Sequence, residues 1–428
     1  MSAQSIPPLG SNSLHLVEVE LGHLHLPERE LRKHSTEQIR KIARSIEQFG
    51  WVSPILISAG REVIAGAARV KAARSLGIST APALQVDHLS AEQVRLYRIA
   101  DNRLAEEADW NQDALRLEIG ELIELDLNIE LTGFATGEID VLLDLDEPAD
   151  EPPADPDTQV EPRSQQGDAY KIGDHLLICG DALAPTTWEL FADRPIDAGF
   201  VDSPYNVRID KNVCGLGSVK HREFVQASGE MSADAFAGFL ATVHERLFQS
   251  MKPGAVLFSC MDWRSIASLA NAGQSAGLEL INMVVWDKMR GGMGSLYRSQ
   301  HELICVFKKP GGAHRNNVQL GKHGRNRTNV WAYAGMNTGG KERDELLALH
   351  PTVKPVELVA DAVKDVTAHG DTVIDCFGGS GTTMLAAHNT GRKAILIELD
   401  PVYVDTIIAR MERSTGLKAE RLSLGSEG

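Results

Sequence analysis

Asp202-Ser203-Pro204-Tyr205 joins a carboxylate, a main-chain carbonyl held stiff by the proline after it, and a flat phenol ring. The Asp202 carboxylate can accept one N–H of an amino group, and the Ser203 carbonyl can accept the other. On a nucleobase the amino lone pair is delocalised into the ring. Double acceptance of this kind turns that lone pair toward an incoming methyl group. Tyr205 offers a face against which an extruded base can lie. The apolar run Ile196 to Val201 predicts a strand ending at Asp202. The tetrapeptide then falls in the loop at that strand's carboxyl end, where open α/β sheets hold ligands. Taken alone, a D-x-P-Y match is common, and a plain strand-to-turn junction explains it as well.

A second segment changes the weighing. Val373-Ile374-Asp375-Cys376-Phe377-Gly378-Gly379-Ser380-Gly381-Thr382-Thr383 reads as a strand, a glycine-rich turn and a helix starting near Thr382. Glycines permit positive φ and close approach of backbone to a ligand. A helix amino end adds free N–H groups and a favourable dipole. The next apolar run, Ala394 to Ile397, ends at Glu398, 23 residues after Asp375. An acid at the tip of the second strand is where a nucleoside's ribose hydroxyls are held. A dinucleotide-binding fold has the same outline and stays open at this point. No G-x-x-x-x-G-K-[ST] occurs, so a P-loop is not expected.

Together these segments resemble the DNA amino-methyltransferases that use S-adenosylmethionine, in the permuted class whose catalytic loop precedes the cofactor loop. The resemblance spans roughly residues 167–416 and includes four more segments. Cys179-Gly180-Asp181-Ala182-Leu183 is similar to the G-D segment whose acid meets the cofactor's adenine. Arg298-Ser299-Gln300-His301-Glu302 is similar to the R-x-x-H-E strand near the target base. His350-Pro351-Thr352-Val353-Lys354-Pro355 matches H-P-T-x-K-P, and Glu398-Leu399-Asp400-Pro401-Val402-Tyr403 matches E-x-D-x-x-Y. The resemblance implies a Rossmann-like α/β methyltransferase domain with a mostly parallel sheet. It implies cofactor contacts at Asp181, Lys354 (at the methionine end), Asp375, Phe377, Gly378, Gly379, Gly381, Thr382 and Glu398 (at the ribose). Asp202, Ser203, Pro204 and Tyr205 would form the catalytic clamp on a base flipped out of duplex DNA.

Ser203 departs from the family's usual proline. The acceptor needed there is a main-chain carbonyl, so serine still supplies it with less rigidity. Aspartate at the first position resembles the adenine-N6 enzymes, while serine there would resemble the cytosine-N4 enzymes. Cytosine-C5 chemistry needs a cysteine nucleophile, usually after proline, and none of Cys179, Cys214, Cys260, Cys305 or Cys376 follows one.

The chain has 428 residues, enough for two domains, and a net charge of −16, awkward for a DNA binder. Distribution matters more than the sum. Eight acids and no base lie between Asp144 and Glu161, among prolines, which predicts an extended linker over 147–166. Lys308 to Arg327 holds six basic residues and no acid. A solvated surface loop explains such a run. In the permuted class, however, the target-recognition region begins there, about 310–349, so Arg315, Lys322, Arg325 and Arg327 are the candidate DNA contacts. No apolar run is long enough for a membrane span and no secretory signal is evident. With five scattered cysteines, this predicts a cytoplasmic protein with reduced thiols. His301-Glu302 lacks a second histidine four residues after the first, so no metal is expected. A homodimer and a partner nuclease are both left open.

Residues 14–146 read as a separate, smaller α+β domain. Ser35 is a candidate N-cap with Gln38 in capping-box position, Gly50 ends that helix, and Pro54 to Ile57 form a strand. Ser45 to Gly50 with Pro54-Ile55, Gly66 to Ala73, and Ala100-Asp101-Asn102-Arg103 resemble the ParB-like amino-terminal domain of partition proteins. That resemblance implies a nucleotide-phosphate contact at Gly66 and Arg69. Arg69 paired structurally with a nearby acid is the alternative. Residues 206–232 read as a mobile loop over the base or cofactor, with His221 a surface residue and not a base. A DNA-binding regulator with a vestigial methyltransferase half is the rival from another functional class.

Overall fold

The computed structural model describes residues 15–125, 127–143, 162–206, 229–289, 291, 296–318, 327–334 and 354–422. The acidic stretch 144–161, most of the expected loop 206–232 with His221, and Lys322, Arg325 and residues 350–353 lie outside them. The chain packs into two units, Met1–Phe134 and Ala135–Gly428.

In the first unit, β1 (His15–Glu20), β2 (Ile55–Ser58), β3 (Val63–Ala65) and β4 (Thr80–Val86) form one sheet in the order β1-β4-β2-β3. Helix α1 (Thr36–Phe49) starts where Ser35 Oγ accepts the Gln38 N–H at 3.1 Å and stops at Gly50, φ 73°. The box is half formed, because Gln38 Oε1 pairs with His34 Nδ1 at 3.0 Å. Helix α2 (Ala67–Ser75) begins at Gly66, whose φ of 95° any other residue would resist. Ile55, Ile57, Val70 and Ala73 close the core between sheet and helix. Helices α3 (Ala91–Leu104) and α4 (Gln112–Glu124) follow.

Helix α5 (Thr136–Leu143) packs with the second unit, ahead of the domain edge expected at 146. The reason is a buried ion pair: Arg392 donates to Asp140 Oδ1 at 2.8 Å and Oδ2 at 3.2 Å. The end of the expected linker is also tied down. Arg163 N donates to Asp405 Oδ2 at 2.6 Å, and Ser164 Oγ to Oδ1 at 2.5 Å.

Ten strands make the second sheet. In chain order the elements are β5 (Ala169–Ile172), β6 (His175–Cys179), α6 (Pro185–Glu189), β7 (Ile196–Asp202), α7 (Ala233–Ser250) and β8 (Met251–Met261). Then come α8 (Ile266–Ser275), β9 (Glu279–Asp287), β10 (His301–Lys308), β11 (Val330–Ala332) and α9 (Val356–Val366). The last are β12 (Thr372–Asp375), α10 (Thr382–Asn389), β13 (Lys393–Glu398), α11 (Pro401–Thr415) and β14 (Ala419–Arg421). Their order is β11-β9-β10-β8-β7-β12-β13-β6-β5-β14. The central run β8-β7-β12-β13-β6 is parallel, and β10, β5 and β14 are antiparallel to their neighbours. Apolar clusters cover both faces, which is why the central strands are near-continuous apolar runs and not alternating ones. From β7 the chain moves outward to β8, and from β12 it moves the other way to β13. The β7/β12 boundary is therefore the switch point, where a doubly wound sheet opens a crevice at its carboxyl edge.

Candidate active site

Four acids named from the sequence stand at or just past the carboxyl ends of four adjacent parallel strands. In spatial order they are Asp202 (β7), Asp375 (β12), Glu398 (β13) and Asp181, just past β6. Each ends an apolar run, so burial of the strand fixes where its acid sits.

Asp202 is the centre of a charged cluster. Lys354 Nζ donates to Asp202 Oδ2 at 2.6 Å and lies 3.0 Å from Glu302 Oε2. The Tyr205 hydroxyl sits 3.0 Å from Asp202 Oδ1 and 2.9 Å from Glu302 Oε2, donating to one at a time, and accepts from Lys354 at 3.3 Å. Lys288 Nζ donates to Glu302 Oε1 at 2.5 Å. The rings of Tyr205 and Trp286 each lie 5.6 Å from the Lys354 ammonium. Burial opposes the charge on Lys354, but Asp202 and Glu302 outweigh it and hold the proton above the ordinary lysine range. Burial also opposes ionisation of Glu302, yet Lys354 and Lys288 hold its carboxyl down to about 2. For Asp202, burial prevails over Lys354 and the carboxyl is raised. Ser203 is 1 % exposed, and its hydroxyl has no hydrogen-bond partner.

The glycine turn is built around the next two acids. Asp375 Oδ1 accepts the Phe377 N–H at 3.1 Å, and Oδ2 accepts the Thr383 hydroxyl at 2.6 Å. Glu398 Oε2 accepts the Gly379 N–H at 2.7 Å, and Oε1 the Asp400 N–H at 2.9 Å. Neither carboxylate has a lysine or arginine among the partners described. Burial pushes Asp375 up to about 8 and Glu398 up to about 7 against these hydrogen bonds. Gly381 caps α10 at φ 82°, and a Cβ there would meet Ile407 at 3.0 Å. Gly378 is similarly close, its Cβ position 3.2 Å from Ile407. Thr382 is buried and accepts from the buried Arg410 at 3.2 Å. Asp181 Oδ1 accepts the Leu183 N–H at 2.9 Å, and Gly180 N donates to Glu398 O at 2.9 Å, which holds the β6 and β13 ends together. Buried Asp375 and half-buried Glu398, with no lysine or arginine among the partners described, leave carboxylate oxygens able to accept hydroxyl or N–H donors of a ligand at this turn.

The resemblance implies Lys354 at the methionine end of the cofactor; in the structure its ammonium sits on the Asp202 carboxylate. Glu302, Lys288 and Trp286 were not named as site residues. The H-E pair was the available signal, since register places Glu302 opposite Trp286. Arg327 is engaged by the protein's own acids, Asp361 at 2.8 Å and Asp365 at 2.8 Å, and stacks over Trp331. Arg315 donates to Thr136 Oγ1 at 3.1 Å. In the first unit, Gly66 lines a cavity of about 130 Å³ with Arg29, Arg32, Arg98 and Asn102. Arg69 does not line it; its Nη1 donates to Ser53 Oγ at 2.6 Å and Pro54 O at 3.1 Å. Among the described residues, no group of three or more His, Cys, Asp or Glu could hold a metal ion. No described helix is long and apolar enough to cross a membrane.

The family model for N6/N4 DNA methylases matches residues 196–410. A ParB N-terminal domain matches residues 8–102, and a ParB-methyltransferase HTH domain, which sequence reading had not found, matches 113–166. The type II methyltransferase M.BglI of Bacillus subtilis is 32% identical over 145 residues, 32% of this chain and 40% of that protein. The aligned stretch thus spans well under half of that relative. The M1.HpyAVI–SAM complex is 21% identical over 55% of this chain and 98% of its own, with TM-score 0.41. PvuII DNA methyltransferase (cytosine-N4-specific) is 17% identical over 56% and 86%, with TM-score 0.42. The family match covers half the chain and contains Asp202, Asp375 and Glu398, and so the chain belongs to the N6/N4 DNA methylase family, joined to a ParB-like amino-terminal domain.

Proposed function

We propose that the protein is a site-specific DNA methyltransferase that moves a methyl group from S-adenosylmethionine to the exocyclic N6 of adenine in duplex DNA. The observation that carries the reading is the row of acids along one sheet edge, with Asp202 at the switch point beside Asp375. S-adenosylmethionine supplies a methyl group on a sulfonium, which leaves as a neutral thioether. Asp375 and Glu398 would hold its cationic and ribose portions, with Asp181 near its adenine. The target base is turned out of the stack at a cost of a few kcal/mol. Tyr205 stacks on it while Asp202 and the Ser203 carbonyl accept its two amino hydrogens. The nitrogen lone pair would form the new N–C bond as the C–S bond breaks, and the charged amine would release one proton to solvent. Alignment in a water-poor pocket is the main source of rate. Lys322 and Arg325 are the proposed phosphate contacts, and Arg315 and Arg327 are engaged by Thr136, Asp361 and Asp365.

Mass spectrometry of nucleosides from DNA incubated with protein and cofactor tests this. N6-methyladenine is expected. N4-methylcytosine would move the substrate to cytosine, and bound cofactor with no DNA methylation would favour a regulatory DNA-binding protein. For the first unit, the cavity beside Gly66 supports a nucleotide site in which Arg69 shapes the turn. Equilibrium binding of labelled nucleoside triphosphates to the full chain tests it, and no binding at millimolar concentration removes it.

A further inference from the structure

The least expected contact in the second unit is the one between Lys354 and Asp202, residues 152 apart in sequence. Lys354 is 5 % exposed. Its three N–H bonds find three acceptors: Asp202 Oδ2 at 2.6 Å, Glu302 Oε2 at 3.0 Å and the Tyr205 hydroxyl at 3.3 Å. An ammonium so placed has no donor left over for a cofactor carboxylate. Glu302 in turn holds Lys354 and the Tyr205 hydroxyl on one oxygen and Lys288 on the other. The Asp202 carboxylate therefore cannot rotate without breaking bonds to two neighbours, both of which Glu302 anchors.

We propose that Lys354 and Glu302 are positioning residues for methyl transfer: Lys354 fixes the Asp202 carboxylate in the orientation that accepts the target's amino hydrogen, and Glu302 holds Lys354 and Tyr205 in place for it. The inference rests on Asp202 being the amino-group acceptor. It assigns Lys354 to the base side of the crevice and not to the cofactor side. The charged and titratable groups facing Asp202 are Lys354, Glu302, Tyr205, Cys260 and Asp375, with Lys288 behind Glu302. Lys354 favours the ionised carboxylate and Glu302 disfavours it. A protonated Asp202 offers fewer acceptor sites, so activity falls as pH drops through its pKa. The two residues thus push the acid limb of the rate profile in opposite directions.

The test uses the full chain and compares Lys354→Met, Glu302→Gln and the double variant, which removes one charge of each sign. For each, S-adenosylhomocysteine affinity is measured by calorimetry and kcat is followed against pH. Lys354→Met is expected to keep cofactor affinity within about twofold and lose about tenfold or more in kcat. Its acid limb should move up by about one to three pH units, the size of an opposite charge at this range. Glu302→Gln should move the limb down, and the double variant should bring it back toward the parent. Should Lys354→Met not fold, opposite limb shifts in Glu302→Gln and Lys354→Gln carry the same decision, since the amide removes the charge while keeping an N–H donor. A tenfold loss of cofactor affinity in Lys354→Met with an unmoved limb would return Lys354 to the cofactor and overturn the proposal. So would a limb that moves the same way in both single variants. If Asp202→Ala instead retains full turnover, the acceptor reading itself fails, and that outcome is separate from either of these.

Discussion

Two groups of acids along one edge of the sheet have unlike partners, lysines in one and neutral dipoles in the other. Asp202, at the end of β7, and Glu302, at the start of β10, have Lys354 and Lys288 within 3.0 Å; Glu302 is held down to about 2, while burial still raises Asp202. After β12 and β13, Asp375 and Glu398 are held by a hydroxyl and backbone N–H groups, and burial lifts them to about 8 and 7. Glu302 and Asp375 are both buried yet ionise unequally, because the charged partners of Glu302 offset its desolvation and the neutral dipoles around Asp375 offset only part of its own. The first cluster carries its own counter-charge. The second is short of positive charge, as a site for a cationic ligand should be.

The largest test of the contrast is Asp202→Ala. It should keep cofactor binding and lose about 10²- to 10³-fold in kcat, the scale seen when one aligned catalytic hydrogen bond is removed. A radiolabel-transfer assay beside a cofactor titration reads both. On the other side, Glu398→Gln should weaken cofactor binding by about ten- to a hundredfold, matching the ~1.5–3 kcal/mol of a charged hydrogen bond. Its turnover at saturating cofactor should stay within a few-fold. If each variant instead damages both properties alike, the two ends do not divide the labour.

Stability without cofactor separates the regimes further. The Asp375 pKa is raised in the fold, so its contribution turns unfavourable as pH climbs from the unfolded value near 4 toward about 8. Asp375→Asn should therefore gain stability over the parent as pH rises from 5 to 8, by several kcal/mol across that range, read as the change in Tm. A gain that does not depend on pH would mean the carboxyl is already ionised. The smallest effect is a proton count. Near pH 7 Glu398 is part-protonated, and ribose hydroxyls donating to it favour the charged form. Cofactor binding should release a fraction of a proton, seen as a binding enthalpy that differs between phosphate and Tris, and Glu398→Gln should abolish the difference.

The same contrast explains what could be read from the residues alone. The glycine turn is readable in the residues because its contacts are local: Asp375, Phe377, Gly379 and Gly381 act through backbone and nearby groups, and a parallel strand buried on both faces is an apolar run that stops at its acid. The charge balance around Asp202 is not, because its members come from β7, β9, β10 and the start of α9, brought together only by sheet order. Arg327 shows a related limit of reading residues alone. A basic run looks like a nucleic-acid face until the acids it meets, Asp361 and Asp365, are seen one turn of helix apart on α9. The helix α5 joint escaped notice too, since Asp140 finds Arg392 across 252 residues of chain.

That joint has a practical consequence. Asp140 and Arg392 grip each other from opposite sides of residues 144–161, a stretch whose acid- and proline-rich composition invites cleavage. A nick there would sever the backbone without freeing α5 from its seat. The two pieces should then migrate as one species on a sizing column and part only in denaturant, so that this chain can be expressed as two polypeptides that find each other.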